Sequence, residues 1–326
     1  MQVVFVTGVA GFIGSRVAEM LLEQGNRVIG IDNLNDYYDS RLKLWRLDAL
    51  EQYFRFTFFQ ADIEDFASLR AIFRDYRPTA VINEAARISV CSSRENPSAY
   101  FATNAGGTLN LLELCRQCGT AKFVLASTSL LCAEQKVPGE GEQQQPANTS
   151  LSTYAASKKV AEALAHAYHH LYSLDVSVLR YFTVYGPAGR PDMEVLRFVR
   201  GIGSGIPLQI CGDPAAGRDF VYIEDAAGGT VAALQPVGYE IINLGSNSPH
   251  RLSELIRLIE LYTGRSAVMH NCLEPGVGMQ GSRARAGIRK ARATLGWRPA
   301  VSLEEGVRKT VDWYLNNWDW LKNLKF

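Results

Sequence analysis

No uncharged apolar run in this 326-residue chain reaches the ~18 residues that a membrane-spanning helix requires. One-sided charge is missing too: 34 basic and 33 acidic residues leave a net charge of +1. Without a basic surplus there is no overall field to draw in nucleic acid or an anionic bilayer, and neither is expected as a partner. The opening residues, Met1-Gln2-Val3-Val4-Phe5-Val6, carry no basic leader region and read directly as a strand, so no secretory signal is expected. Cysteine is sparse and scattered, at Cys91, Cys115, Cys118, Cys132, Cys211 and Cys272. Cys115-x-x-Cys118 falls in a helical pattern with no second Cys/His pair at zinc spacing, so no metal site is read. These are taken as free thiols in a reducing, cytoplasmic setting. Internal repeats are absent.

What is present is an ordinary globular composition, 47% hydrophobic, enough for one large domain or a domain with an added lobe. Val3–Thr7, Arg27–Ile31, Phe54–Gln60, Ala80–Asn83, Phe123–Ser127 and Val176–Arg180 read as buried strands. Helical patterns at Phe12–Gln24, Ser68–Asp75, Pro97–Cys118 and Ser152–Tyr172 fall between them. This alternation implies βαβ units and an α/β fold with a doubly wound parallel sheet. Beyond about Tyr181 the pattern shortens. Strands at Leu208–Cys211, Glu240–Asn243 and Ala267–Asn271 mix with helices at Met193–Ser204, Glu224–Leu234, Leu252–Thr263 and Leu303–Asn316. A smaller mixed lobe is expected there, capping the C-terminal edge of the sheet. The polar segment Glu134–Ser150 reads as a surface loop.

Two motifs carry chemistry. The first is Gly8-Val9-Ala10-Gly11-Phe12-Ile13-Gly14, between a strand and a helix. Amides at such a helix start can hold a pyrophosphate, and the glycines permit close approach. Asp32 ends the next strand, 24 positions after Gly8. A carboxylate there accepts from both ribose hydroxyls of an adenosine and repels a 2′-phosphate, which favours NAD over NADP. Asp62-Ile63 follows a later strand and either reaches the adenine or caps a helix. The second motif is Tyr154-Ala155-Ala156-Ser157-Lys158, which sets a phenol and an ammonium on one helix face. The ammonium is expected to favour the phenolate and lower a pKa that starts at about 10. A phenol tuned in that way can take a proton from a sugar hydroxyl and return it.

With both motifs in place the chain resembles the extended short-chain dehydrogenase/reductases. More narrowly, it is similar to the nucleotide-sugar 4-epimerases of the UDP-glucuronate group. The residues that carry this resemblance are Thr7–Gly14, Asp32–Asp39, Asn96–Asn110, Tyr154–Lys158, Arg180–Met193 and Arg218–Tyr222. Threonine at 183, where galactose epimerases generally have asparagine, marks the glucuronate group. The resemblance implies a Rossmann-like domain over residues 1–181, with returning segments near 219–247, and a nucleotide-sugar lobe over 182–326. It implies bound NAD and a homodimer paired through the helices Pro97–Cys118 and Ser152–Tyr172. It also implies the reaction: Tyr154 takes the proton from the sugar O4 while C4 gives up a hydride, the 4-keto sugar turns over, and both return to the other face.

Lys158 would hold the nicotinamide ribose, and Thr128 would share the short hydrogen bond to O4. Asn33, Ala85, Ala86 and Asn104 join the glycines, Phe12, Ile13, Asp32, Asp62 and Ile63 on the cofactor side. Ser127, Ser129 and Thr183 fall on the sugar side, with Arg87 as an added positive charge. Arg218 matches an arginine that binds the substrate pyrophosphate, and Arg190 one on the nucleotide side.

The departures cluster around the substrate. Leu130 stands where a small hydroxyl residue is expected against the glucuronate carboxylate, and an apolar side chain cannot satisfy a desolvated carboxylate. Cys132-Ala133 replaces Tyr-Gly. Glu84 replaces leucine, Arg87-Ile88-Ser89 replaces Gln-Ala-Gly, and Cys91 replaces arginine. Glu274-Pro275-Gly276-Val277 lacks an aspartate expected to bind the substrate ribose, and the nearby Arg283, Arg285, Arg289, Lys290 and Arg292 read as a solvated helix face. No acid follows Thr128, which argues against 4,6-dehydration and against decarboxylation. The open alternatives are a 4-epimerase of another UDP-hexose or nucleotide sugar, and a non-catalytic NAD-bound sensor or scaffold.

Overall fold

The computed structural model describes residues 1–134, 152–211, 217–272 and 285–324. Most of the expected Glu134–Ser150 loop, the Glu274–Val277 segment and Arg283 lie outside the described residues.

Strands β1 (Val3–Thr7), β2 (Arg27–Asp32), β3 (Phe56–Gln60), β4 (Ala80–Asn83), β5 (Lys122–Thr128) and β6 (Asp175–Tyr181) alternate with helices. These are α1 (Phe12–Glu23), α2 (Ser40–Leu50), α3 (Phe66–Tyr76), α4 (Ser92–Glu95), α5 (Pro97–Phe101), α6 (Thr108–Cys118) and α7 (Thr153–Tyr172). The chain then runs through β7 (Thr183–Tyr185), α8 (Glu194–Ser204), β8 (Leu208–Cys211), β9 (Gly217–Tyr222), α9 (Ile223–Ala232) and β10 (Tyr239–Leu244). It closes with β11 (Pro249–Arg251), α10 (Leu252–Thr263), β12 (Met269–Cys272), α11 (Arg289–Leu295), α12 (Leu303–Asn316) and α13 (Trp318–Leu321). None of the described helices is long and apolar enough to cross a membrane.

The main sheet has the order β10-β6-β5-β4-β1-β2-β3, and every pairing in it is parallel. Side chains alternate across it, as period-two strands require. Val4, Val6, Val28, Ile82, Val124 and Leu179 join the core that also holds α1, α2 and α9. Phe5, Ile29, Val81, Phe123, Leu125 and Val178 join the core under α3, α6 and α7. Two small sheets, β11-β9-β7 and β12-β8, form the second layer system.

β10 arrives from far along the chain. Asp175 prepares its landing: one carboxylate oxygen meets the Lys122 ammonium, while the other accepts from Val237 and Gly238 amides at 2.9 and 2.7 Å. Later segments are clasped by two more buried acids. Asp219 takes the amides of Ser246 and Ala286, at 2.5 and 3.0 Å. Asp225 takes those of Ala300 and Val301, at 2.9 and 3.0 Å.

Three details differ from expectation. The Phe54–Gln60 strand begins at Phe56, because Phe54 is 89% exposed and lies outside the ladder. The Pro97–Cys118 helix is interrupted by a π-turn over Ala102–Gly107. Helix α2 was not foreseen. Asp39 caps it by accepting from the Arg41 amide, and Leu42, Leu47 and Leu50 are its buried stripe.

Candidate active site

Strand order reverses between β1 and β4, and parallel sheets open a ligand crevice at the carboxyl ends of the strands at such a point. The glycine turn lines it. Gly8 sits at φ +64°, a left-handed conformation that favours glycine. A Cβ on Gly14 would fall 2.3 Å from the Gly8 carbonyl oxygen, and one on Gly8 would fall 2.8 Å from the Ala85 amide nitrogen. The turn is therefore pressed against the end of β4. Helix α1 starts at Gly11 with no side-chain acceptor at its cap and no acid in its first turn, so its leading amides are left for an anionic ligand. Phe12 is buried behind them and Ile13 partly so.

Asp32 is buried at the end of β2, and its Oδ1 accepts from the Leu34 amide at 2.8 Å. The Lys43 ammonium lies 3.4 Å from the same oxygen. Lys43 and Arg46 are buried on α2 and escaped the sequence reading. Arg46 ties the glycine turn to the loop after β7 by donating to the carbonyls of Ala10 at 3.0 Å and Ala188 at 2.6 Å. Their spacing on one helix face was the available signal, hidden because α2 itself was not recognised. Asp62 does not cap α3; Asp65 does. Asp62 accepts from Asn33 Nδ2 at 2.7 Å and from the Glu64 amide at 2.9 Å, and Ile63 is buried against Gly107.

A line of buried polar groups runs from this turn to the other motif. Thr7 donates to Asn83 at 2.7 Å and accepts from the Ala85 amide at 3.1 Å, with Ala86 next in the chain. Asn83 donates to Thr108 at 3.1 Å, and Thr108 donates to the Asn104 carbonyl at 2.7 Å. Asn104, inside the π-turn, spends both amide hydrogens within the chain, on the Arg87 carbonyl and on Ser157 Oγ, each at 2.9 Å. Ser157 in turn donates to the Tyr154 carbonyl at 2.8 Å. Asn104 thus joins the segment after β4 to the helix that carries Tyr154. Arg87 Nε donates at 3.1 Å to Thr103, whose hydroxyl donates to Glu64.

Tyr154 and Thr128 are both buried, and the Thr128 hydroxyl acts on the Tyr154 phenol. The Tyr100 ring stands edge-on to Tyr154 at 6.4 Å. Burial pushes the Tyr154 phenol up to about 12, against the pull of Thr128 and of Arg190. In the ligand-free protein burial thus outweighs the expected downward pull, and Lys158 is not among the groups that act on the phenol. Lys158 is itself 2% exposed, burial depresses it to about 8, and its Nζ has no hydrogen-bond partner. Sharing a helix face does not aim the ammonium at the phenol.

Ser127 is a second correction. Strand alternation turns its hydroxyl to the other side of β5 from Thr128, where it donates to Glu162 at 2.6 Å. Glu162 also takes two bonds from Arg180, at 2.9 and 2.7 Å. That buried ion pair fastens α7 to β6.

On the sugar side, Ser129 is half-buried and Leu130 is 38% exposed, its amide donating to Thr128 Oγ1 at 3.3 Å. Thr183 opens β7 beside Phe220 of β9. Arg190 makes a two-point pair with Asp192, at 3.0 and 2.7 Å, and its guanidinium lies over the rings of Tyr37 and Tyr38. Arg218 lies against Glu194.

A family model described as the NAD dependent epimerase/dehydratase family matches residues 4–245. This chain belongs to that family. A UDP-glucuronate 4-epimerase from Thermodesulfobacterium geofontis is 49% identical over 323 residues, spanning 98% of each chain. Among solved structures, the UDP-glucuronic acid 4-epimerase of Bacillus cereus, in complex with UDP-glucuronic acid and NAD, superimposes with a TM-score of 0.85. It is 33% identical, and the match covers 96% of this chain and 99% of that one. The UDP-glucose 4-epimerase of Thermotoga maritima, solved with UDP-glucose, gives 0.84 at 31% identity over 97% and 99%.

As in other members of the family, the cofactor is NAD, and the residues fit it. The uncapped start of α1 suits the pyrophosphate, and Asp32 suits the adenosine ribose. The unpartnered Lys158 ammonium is the clearest mark of a missing polar neighbour, since a buried charge without a hydrogen bond is costly.

Proposed function

We propose that this epimerase/dehydratase family member is a nucleotide-sugar 4-epimerase that interconverts UDP-glucuronate and UDP-galacturonate. One observation carries the reading: buried Tyr154 and Thr128 at the carboxyl edge of the sheet, with a lysine one helical turn from the tyrosine whose buried ammonium has no hydrogen-bond partner in the protein. When bound, NAD supplies a reversible hydride acceptor for C4.

The protein supplies the proton handling. With its phenol held at about 12 by burial, Tyr154 begins protonated at neutral pH. Positive charge arriving with the ligands brings the phenol toward the value that proton transfer needs. Thr128 passes the hydrogen bond between the sugar O4 and Tyr154. Burial of all three side chains keeps water from the oxidised sugar. Ser129 and Thr183 hold the C5 substituent. Arg218 exchanges Glu194 for the substrate pyrophosphate, and Arg190 exchanges Asp192 for the nucleotide side of the substrate. Residues 1–181, with the returning segments near 219–247, form the cofactor part, and residues 182–326 the nucleotide-sugar part.

The identity relationship to the Thermodesulfobacterium enzyme supports the uronate as substrate. Leu130 favours a second reading, a UDP-hexose without the carboxylate, because it brings an apolar side chain to that wall. Exposed Leu109 on α6 and Val160, Leu171 and Tyr172 on α7 support pairing of two chains through these helices. The free thiols among the described cysteines support a reducing cytoplasm.

Proton NMR of products from UDP-glucuronate and a panel of UDP-hexoses tests the proposal. Formation of UDP-galacturonate supports it. Conversion of a UDP-hexose alone moves the assignment to the second reading. Tightly held NAD with no turnover of any sugar nucleotide overturns both.

A further inference from the structure

Helix α2 meets both halves of the site. Trp45 seats it against the end of the chain, its ring 5.7 Å from that of Trp313 on α12 and 5.9 Å from that of Trp320 on α13. Two buried cations, one helical turn apart, reach out of its other face. The Lys43 ammonium serves Asp32 and Asn35, at 3.4 and 3.1 Å. Arg46, only 4% exposed, serves three other segments. Its Nη1 donates to the Ala10 carbonyl at 3.0 Å and to the Tyr38 hydroxyl at 2.8 Å. Its Nη2 donates to the carbonyls of Ala188 at 2.6 Å and Gly189 at 3.5 Å. Ala10 belongs to the glycine turn, Tyr38 to the loop after β2, and Ala188 to the loop after β7, two positions before Arg190.

The bond to Ala188 stands out. Ala188 sits at φ +53°, in the left-handed region that disfavours a residue with a Cβ. A residue in that conformation is held by its surroundings, and the shortest of the Arg46 bonds ends on its carbonyl. Arg190 leans on the same cluster. Its guanidinium lies 5.6 Å from the centre of the Tyr38 ring, whose hydroxyl Arg46 holds. Arg46 thus acts on Arg190 twice, through the backbone at 188 and through the Tyr38 ring. A guanidinium suits this task. Its planar fork sends donors in fixed directions to several segments at once, whereas those of an ammonium radiate from one point.

We propose that Arg46 is a positioning residue for both ligands: one buried fork fixes the glycine turn suited to the NAD pyrophosphate and the loop that carries Arg190 toward the nucleotide sugar. Arg46 has almost no surface of its own to offer a ligand, so it acts through the segments that it holds. The NAD half follows from the family's cofactor, and the nucleotide half rests on the proposed function.

Two variants test this. Arg46→Met keeps an unbranched stem and removes every donor, while Arg46→Lys keeps the charge and loses the fork. Calorimetric titration of NAD-free protein with NAD, and of NAD-saturated protein with UDP, reads the two sites separately. Losing hydrogen bonds from a charged donor should weaken each affinity by roughly tenfold or more in Arg46→Met, and Arg46→Lys should recover little of either. Tyr154, Thr128 and Lys158 stand on α7 and β5, apart from these bonds, so kcat should fall far less than kcat/KM. Ala188→Gly lets the loop keep its left-handed turn unaided. Added to Arg46→Met, it should restore part of the UDP affinity and none of the NAD affinity, a one-sided rescue that general loosening of the fold does not give. Unchanged UDP affinity in Arg46→Met overturns the proposal, as does a UDP loss that Ala188→Gly leaves untouched. Wild-type affinities in Arg46→Lys also overturn it, by giving the effect to the charge. Should Arg46→Met not fold, Arg46→Lys with and without Ala188→Gly decides on the same outcomes. A wild-type chain that binds NAD but not UDP overturns the nucleotide-sugar reading. Amide hydrogen exchange of ligand-free Arg46→Lys then decides on the fork, which must deprotect residues 8–14 and 186–193 together when it is lost.

Discussion

Replacing Lys158 with methionine is expected to stabilise the ligand-free protein. Methionine matches the length of the lysine stem but brings no charge into the core. Burial lowers the Lys158 pKa from the ordinary 10.5 to about 8, and its Nζ has no hydrogen-bond partner. At about 1.4 kcal/mol per unit, keeping that ammonium folded costs up to about 3 kcal/mol. The cost is full below pH 8, where both states hold the proton. Between pH 8 and 10.5 the unfolded chain binds the proton that the folded chain has released, so wild-type stability rises with pH across that window. The advantage of Lys158→Met is therefore largest at neutral pH and fades toward pH 10.5. Glu84 and Glu162 both favour the charged lysine, and losing that effect in the variant trims the gain. With unfolding entropy of about 2.1 cal/mol/K per residue over 326 residues, ~3 kcal/mol corresponds to roughly 4 °C in Tm. Calorimetry of NAD-free protein at pH 7 and pH 10 reads this directly. Saturating NAD should narrow or invert the order, since the ammonium then gains a partner. A Lys158→Met variant that melts at or below the wild type at pH 7 without NAD would refute the argument, because burial would then cost the ammonium less than its carboxylate neighbours return.

Two further outcomes concern activity. Tyr154→Phe should keep the fold and NAD binding but lower kcat by about 10²–10⁴; steady-state kinetics together with NAD retention check both halves, and near-wild-type turnover would remove Tyr154 from the chemistry. Leu130→Ser should raise kcat/KM for UDP-glucuronate by restoring a hydroxyl to the wall beside Ser129. If that ratio is unchanged or falls, the carboxylate is held elsewhere.

The glycine turn, the tyrosine–lysine pair and the parallel strands were legible because each is a local pattern. A turn needs glycine at a left-handed φ, and β1 to β6 needed only short apolar runs. What stayed hidden depended on contacts across long stretches of chain. Glu84 and Lys158 are 74 positions apart in the sequence, so their mutual charge effect cannot be read from either motif. The burial that raises the Tyr154 phenol in the ligand-free protein was hidden for the same reason. Sequence spacing reports which face a side chain shares, while the surrounding core sets its dielectric. Ser127 and Thr128 look interchangeable in the sequence and are separated only by the pleat of β5. Helix α2 was missed because its buried positions include Lys43 and Arg46, which break the apolar stripe that normally announces a helix.

The late return of β10 to the edge of β6 has a consequence for how this protein is made. Between the end of β6 at Tyr181 and the end of β10 at Leu244 lie 63 residues. At ~5–20 residues per second, a ribosome needs about 3–13 s to synthesise them. During that interval the nascent chain carries six parallel strands and an open β6 edge, the kind of edge that recruits strands from neighbouring chains. Synthesis speed through residues 182–244 is therefore a determinant of yield. Pauses in that stretch lengthen the time during which a second nascent chain can occupy the place of β10.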